Sequence, residues 1–269
     1  MKIFCKLNLL ALAAALFAGC AFNSPDEFQG YVEGEYVYVA SPLGGALTNL
    51  AVARGDSVKA GQRLFALERE SEASAMHVAE KNLAQAQANL ARSQSEFDRR
   101  EKLRNDPAQV ISAEELDQAR AQRDADLAAV ESQKAALEKA KWSFDQKQQF
   151  APADAFVQDT LYRSGEFVAA GNPVMVLLPP ENLKVRFFVP QGKLPQIKTG
   201  EMVAVSCDGA TKNYSATISY ISTQVEFTPP VIYNRENRAK LVFMIEAKFS
   251  PADAAELRPG QPVDVKISP

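Results

Sequence analysis

The sequence predicts a mainly β protein that carries one long α-helical hairpin. Three observations predict it. An alanine-rich, charged run from about Ser71 to Gln148 keeps a sevenfold apolar spacing and is broken once, at Asn105-Asp106-Pro107. The segments before and after that run match each other without gaps when 110 is added to each position. From residue 181 onward, short alternating stretches follow one another between glycines and prolines. The expected architecture is a small β-sandwich split in two, an antiparallel coiled-coil hairpin inserted in it, and a C-terminal small antiparallel β-barrel.

Composition narrows the function classes. The chain has 269 residues, 46% hydrophobic and 23% charged, with 30 basic against 33 acidic side chains and a net charge of -3. That balance gives no overall footprint for nucleic acid. One histidine, His77, argues against a histidine-rich metal site or a His-based triad, and its charged helical setting marks it as a solvated surface residue.

Residues 1–19 read as a signal peptide. Lys2 and Lys6 supply the positive start, and the apolar run Leu7 to Phe17 is too short to span a bilayer, which needs ~20 residues. The string Phe17-Ala18-Gly19-Cys20 resembles the bacterial lipobox, which implies cleavage before Cys20 and lipidation of its thiol. Residues 20–29 are polar, contain Pro25, and are expected to be a tether. With Cys5 removed and Cys20 lipidated, Cys207 is left alone, so no disulfide framework is expected. Its alternating apolar run, Met202 to Cys207, predicts a buried, inert thiol on a strand.

Residues 30–70 form the first half of the split sandwich. Tyr31, Val32 and Tyr36 to Val39 are β-formers, Leu47 to Val52 and Leu64 to Leu67 are further strands, and Gly55 and Gly61 bracket a turn. The second half, residues 150–180, repeats this order: Pro42 maps to Pro152, Leu47 to Val157, Gly55 to Gly165, Val58 to Val168 and Gly61 to Gly171. The phrase Gly-x-x-Val-x-x-Gly therefore occurs twice, and neither half is long enough to bury a core alone.

Residues 71–149 form the helical hairpin. Met76, Leu83, Leu90 and Phe97 are spaced by seven in the first limb, as are Val130, Leu137 and Phe144 in the second, with Leu116 and Leu127 further out. Ala79, Ala86, Ala119 and Ala140 stand beside them, which suits close antiparallel pairing. Ser112, followed three residues later by Glu115, is a capping box that opens the second limb. Limbs of this length reach roughly 50 Å at 1.5 Å per residue and expose most of their surface. Such an arm reaches for a partner.

Residues 181–269 alternate in Leu183–Val189, Val203–Cys207, Ser215–Ile221, Leu241–Ala247 and Val263–Ile267, with a short helical turn at Leu194 to Ile197. Gly200, Gly209 and Pro259-Gly260 separate them, as in a small barrel.

The leader, the split Gly-x-x-Val-x-x-Gly half-motif, the inserted hairpin and the following barrel, in this order, resemble the HlyD-type periplasmic adaptors, also called membrane fusion proteins. The stretches Val225-Glu226-Phe227-Thr228-Pro229, Leu241 to Glu246 and Leu257 to Val263 look most like adaptors of ABC transporters. The chain's end after the barrel points the same way, since adaptors of RND pumps usually carry a further β-domain. The resemblance implies a lipoyl-like sandwich and a tripartite efflux or secretion system. In it, an inner-membrane transporter, ABC type favoured over RND, is linked to a TolC-type outer-membrane channel. It further implies a homo-oligomer, a hexamer, held in the periplasm by lipid on the inner membrane, with the outer membrane as the alternative anchor. The family's tip pattern maps onto Arg99, Leu103 and Ser112, with Ser112 nine residues past Leu103 where the family has seven.

Three other readings compete with this one. Lipoyl and biotinyl carriers present a lysine between the two halves, where this chain has Glu68-Arg69-Glu70-Ser71. No Ser/His/Asp set, Cys-x-x-Cys, His-Glu-x-x-His or phosphate loop is present, so no catalytic, cofactor or metal residues are expected and the chain does not read as an enzyme. The carboxylates Glu114-Glu115 and Asp124/Asp126 sit on a water-exposed helix as solvated charge. An envelope scaffold lipoprotein without a transport role keeps the same fold.

Overall fold

The computed structural model describes residues 27–105, 111–207, 212–227 and 241–267. The signal peptide, Cys20, the bend at Asp106-Pro107 and the Thr228-Pro229 part of the barrel stretch lie outside these residues. The chain divides into two compact units. One is Glu35–Pro180; the other begins, among the described residues, at Glu27, runs to Gly34 and resumes at Glu181.

The first unit holds the sandwich and the hairpin. Its strands are β2 (Val37–Ala40), β3 (Gly45–Leu50), β4 (Ser57–Val58), β5 (Arg63–Leu67), β6 (Gln148–Phe150), β7 (Ala155–Thr160), β8 (Phe167–Val168) and β9 (Pro173–Leu178). They form two sheets, β2-β9-β7-β4 and β6-β5-β3-β8. Each sheet takes two strands from either half, so neither half closes a sheet alone. The internal repeat is visible in the hydrogen bonds. Gly55 N–H donates to Val157 at 2.9 Å and Gly165 N–H donates to Leu47 at 2.7 Å, the same bond with the halves exchanged. Gly61 to Ala151 and Gly171 to Ser41 repeat the relation. Gly55 and Gly165 have φ of 97° and 95°, a left-handed conformation that a Cβ disfavours. Leu64, Phe65, Val157, Val168, Val174 and Leu177 are sealed from solvent in the shared core. At ~25 cal/mol per Å² this burial is what holds the two halves together.

The hairpin leaves the sandwich between β5 and β6. Helix α1 spans Glu70–Arg104 and α2 spans Ala113–Asp145, 35 and 33 residues. Acidic Glu70 and Glu72 open α1 and basic Lys102 and Arg104 close it, in the sense its dipole favours. Among the described residues no helix is long and apolar enough to cross a membrane.

The second unit is a closed six-stranded barrel in the order β1-β10-β13-β12-β11-β14. Its strands are β1 (Glu27–Gly34), β10 (Leu183–Pro190), β11 (Met202–Cys207), β12 (Tyr214–Phe227), β13 (Leu241–Phe249) and β14 (Pro262–Ile267), with a short helix α3 (Pro251–Ala254) before the last. The turn expected at Leu194 to Ile197 is a 3-10 helix at Gln191–Gln196. Val32, Val185, Phe187, Val205, Ile245 and Val265 fill the interior.

The strand β1 corrects the sequence reading at two places. Glu27–Gln29 was expected in the tether and Gly30–Gly34 in the first half of the sandwich. Instead β1 pairs with β10 at Gly30↔Phe187 and with β14 at Gly30↔Val263, and so closes the barrel from the far end of the chain. Phe28 and Val32 alternate inward with Tyr31 between them. Alternation marks a strand but does not name its partner, which here lies more than a hundred residues away. A Cβ on Gly30 would stand 2.4 Å from the Arg186 carbonyl oxygen, so the close crossing of β1 over β10 requires glycine.

Outside the barrel wall, four charges meet across three strands. Arg186 Nη2 lies 2.8 Å from Glu246 Oε1 and 2.7 Å from Glu33 Oε2, while Lys184 Nζ lies 2.9 Å from Glu246 Oε2. Lys184 is buried and Glu246 nearly so. Burial pushes the Glu246 carboxyl up, but hydrogen bonds from Arg186 and Lys184 outweigh it and hold the group below the ordinary glutamate value.

Candidate docking arm and its root

The seam between α1 and α2 follows the heptad, with mainly large apolar residues at one position and small or polar residues at the other. Met76, Leu83, Leu90 and Phe97 face the partner helix from α1, and each is followed three residues later by Ala79, Ala86, Ser93 and Arg100. On α2 the sequence Leu116, Arg123, Val130, Leu137 and Phe144 faces back, with Ala119, Asp126, Gln133 and Ala140 as the second position. Small residues let the helices approach, and the large ones pack into the gaps they leave. Leu116 belongs to this seam and is 3% exposed, whereas Leu127 is 47% exposed and lies off it.

Near the free end, Phe97 packs with Leu116 and Ala119. Arg123 lies over the Phe97 ring at 4.5 Å. Arg100 bridges the limbs by donating from Nη1 to the Glu115 carbonyl at 2.9 Å. Sequence reasoning missed Arg100. Its position three residues after Phe97 was the available signal.

The three expected tip residues sit at this free end in different roles. Arg99 is exposed and, among the described residues, pairs with Glu96, 2.7 Å away on its own helix. An exposed pair of this kind contributes little to folding. Leu103 is half-buried on the last turn of α1. Ser112 caps α2: its Oγ accepts from Glu115 N–H at 3.1 Å, and Glu115 Oε2 accepts from Ser112 N–H at 3.1 Å. The capping box read from the sequence is present, and it fixes where α2 begins. Residues 106–110, between the limbs, are outside the described residues.

At the opposite end the arm grows out of a strand pair. β5 pairs with β6 at Phe65↔Gln149 and Ala66↔Gln148, so both limbs leave one sheet side by side. Just inside this pair, Lys147 is buried with its side chain 5% exposed. Its Nζ lies 3.0 Å from Glu72 Oε1 and donates to the Gly44 carbonyl at 2.7 Å. Arg69 lies over the Phe144 ring at 4.4 Å.

His77 is exposed beside Glu80, and Cys207 stands half-buried on β11 rather than fully buried. Among the described residues, no group of three or more His, Cys, Asp and Glu side chains is placed to hold a metal ion.

Comparison with known proteins matches the arm and the fold. Residues 75–147 match the family model described as the RND MFP alpha-helical hairpin domain. The chain is 27% identical over 221 residues to the uncharacterized protein YdhJ of Escherichia coli strain K12, covering 81% of this chain and 76% of that protein. Its fold is similar to that of the membrane fusion protein Spr0693 from Streptococcus pneumoniae R6, with a TM-score of 0.65 and 19% identity over 90% of this chain and 98% of that one. MacA from Actinobacillus actinomycetemcomitans is similar with a TM-score of 0.68 and 18% identity, over 90% of this chain and 79% of that one. The family model covers the arm, and the structural likeness shows the fold.

Proposed function

We propose that this protein is the periplasmic adaptor of a tripartite efflux or secretion system, joining an inner-membrane transporter to a TolC-type outer-membrane channel through its helical arm. The observation that carries this is the arm. Two helices of 35 and 33 residues share a narrow seam, leave most of their surface exposed, and rise from a sandwich built from both of its flanks. A globular core gains nothing from such a projection, whereas a bridge between membranes needs it. Arg99 and Leu103 at the free end are available to a partner, and Ser112 beside them holds the start of α2.

The chemistry is mechanical. Lipid on Cys20 would hold the protein at the inner membrane. The transporter we favour is of the ABC type, on the likeness of the barrel stretches; an RND transporter is the second reading, favoured by the name of the family whose model matches the arm. Copies packed side by side would surround a conduit, with six as the expected number. Two exposed aromatic side chains support a head-to-tail contact. Phe150 and Phe167 are 48% and 72% exposed on β6 and β8, the opposite edge strands of one sheet. A ring contact of that kind joins two different patches of the same subunit. Many such contacts let weak tip docking add up.

In vivo photo-crosslinking from the arm's free end, at Asp106 and Gln109, tests the reading. A TolC-type channel in the trapped product is the expected result. Only peptidoglycan-associated or other scaffold proteins in that product would replace it with an envelope scaffold without transport.

A further inference from the structure

We infer that Lys147 is a positioning residue: its buried ammonium latches the root of the arm to the loop at residues 41–45 and so sets the arm's direction on the sandwich. The consequence for docking rests on the adaptor reading; the latch itself does not.

Two contacts converge on the ammonium. The ammonium meets Glu72 on the first turn of α1 at 3.0 Å and the Gly44 carbonyl at 2.7 Å, so one side chain just past the end of α2 holds the other limb and the sandwich together. The backbone repeats the link on both sides of the residue. Leu67 N–H donates to the Lys147 carbonyl at 2.8 Å, and the buried Ser41 hydroxyl reaches the Gln146 carbonyl at 2.8 Å. The loop has space for the ammonium because Gly45 carries no side chain: a Cβ there would lie 3.1 Å from Nζ. The loop is itself held from behind. A Cβ on Gly44 would stand 3.0 Å from the Val168 carbonyl, and Gly171 N–H donates to Ser41. The latch therefore runs from the second Gly-x-x-Val-x-x-Gly turn, through residues 41–45, to both limbs.

Lys147 lies two residues past the end of α2, where the limb turns into β6, and a charge buried there is tolerated only with close partners. A two-stranded β5–β6 junction by itself leaves the arm free to swing about the strand ends. The ionic contact removes that freedom.

Spin labels on noncanonical side chains at Arg92 on the arm and Ser164 on the sandwich, both exposed, report the direction in the purified full-length protein. The wild type is expected to give one narrow distance distribution. Lys147→Met is expected to broaden it roughly twofold and to speed amide exchange at Leu67 and Gln148 by about tenfold, with exchange at Val157 and Val176 unchanged. Glu72→Gln and Gly45→Ala, which keep the lysine, are expected to broaden it by less. They decide the matter if Lys147→Met does not fold. Distributions that superimpose on the wild type in the folded variants overturn the proposal. So does loss of protection at Val157 and Val176 in step with the root, since the pair would then hold the sandwich rather than the arm.

Discussion

Glu246 on β13 faces Arg186 on β10 as its directly opposed residue, and Arg186 Nη2 meets its carboxylate at 2.8 Å. Lys184 meets the second oxygen at 2.9 Å, so one carboxylate touches both cations on the barrel wall, with Glu33 beside them.

This makes the barrel sensitive to acid. The Glu246 carboxyl lies below the ordinary glutamate value in the folded state, because hydrogen bonds from Arg186 and Lys184 outweigh the opposing effect of burial. Its contribution is therefore complete above the ordinary carboxylate range and is lost as the pH falls through that range to the lowered value. Glu246→Gln is expected to cost about 1–3 kcal/mol at neutral pH and to flatten the acid limb. Urea melts of both proteins between neutral pH and pH ~3 should converge at the acid end. Parallel curves would place the acid sensitivity elsewhere.

Gly30→Ala is expected to destabilise the barrel by about 1–3 kcal/mol or more, because the new methyl meets backbone at 2.4 Å and neither strand can yield without breaking pairs. Thermal melting measures this. An unchanged melting temperature would mean that β1 does not cross β10 as closely as described.

Ser112→Ala is expected to cost about 1 kcal/mol of local helix stability at the start of α2, with Ser112→Asp near neutral. Amide exchange over residues 113–118 reads it directly. If Ser112→Asp keeps the cap yet loses function, Ser112 also contacts a partner.

Arg99→Asp and Leu103→Asp are expected to abolish the proposed adaptor function while shifting the melting temperature little. Among the described residues Arg99 has its exposed pair with Glu96, and Leu103 is half-buried at a helix end. A large loss of thermal stability would assign these residues to packing within the arm.

Cys20→Ala is expected to release the protein from the membrane fraction. Unchanged attachment would rule out lipid on Cys20 as the anchor.

What the sequence determined by itself is set by local and periodic physics. The sevenfold spacing from Met76 to Phe97 and from Val130 to Phe144 dictates a two-helix seam, whatever surrounds it. Ser112 and Glu115 satisfy each other's backbone within four residues, so that cap needed no tertiary information. The repeat at a shift of 110 carried the sandwich, because both halves face the same turn requirement at Gly55 and Gly165. Only the tertiary structure decided who pairs with whom. The β1 strand has the same alternation as its neighbours in sequence, yet it closes the barrel, since pairing energy depends on a partner the local pattern does not encode. Arg100 and Lys147 likewise read as two more charges on charged helices. Their partners, the Glu115 carbonyl and the Glu72–Gly44 pair, lie near them only once the two limbs have folded back and the sandwich has closed around their root.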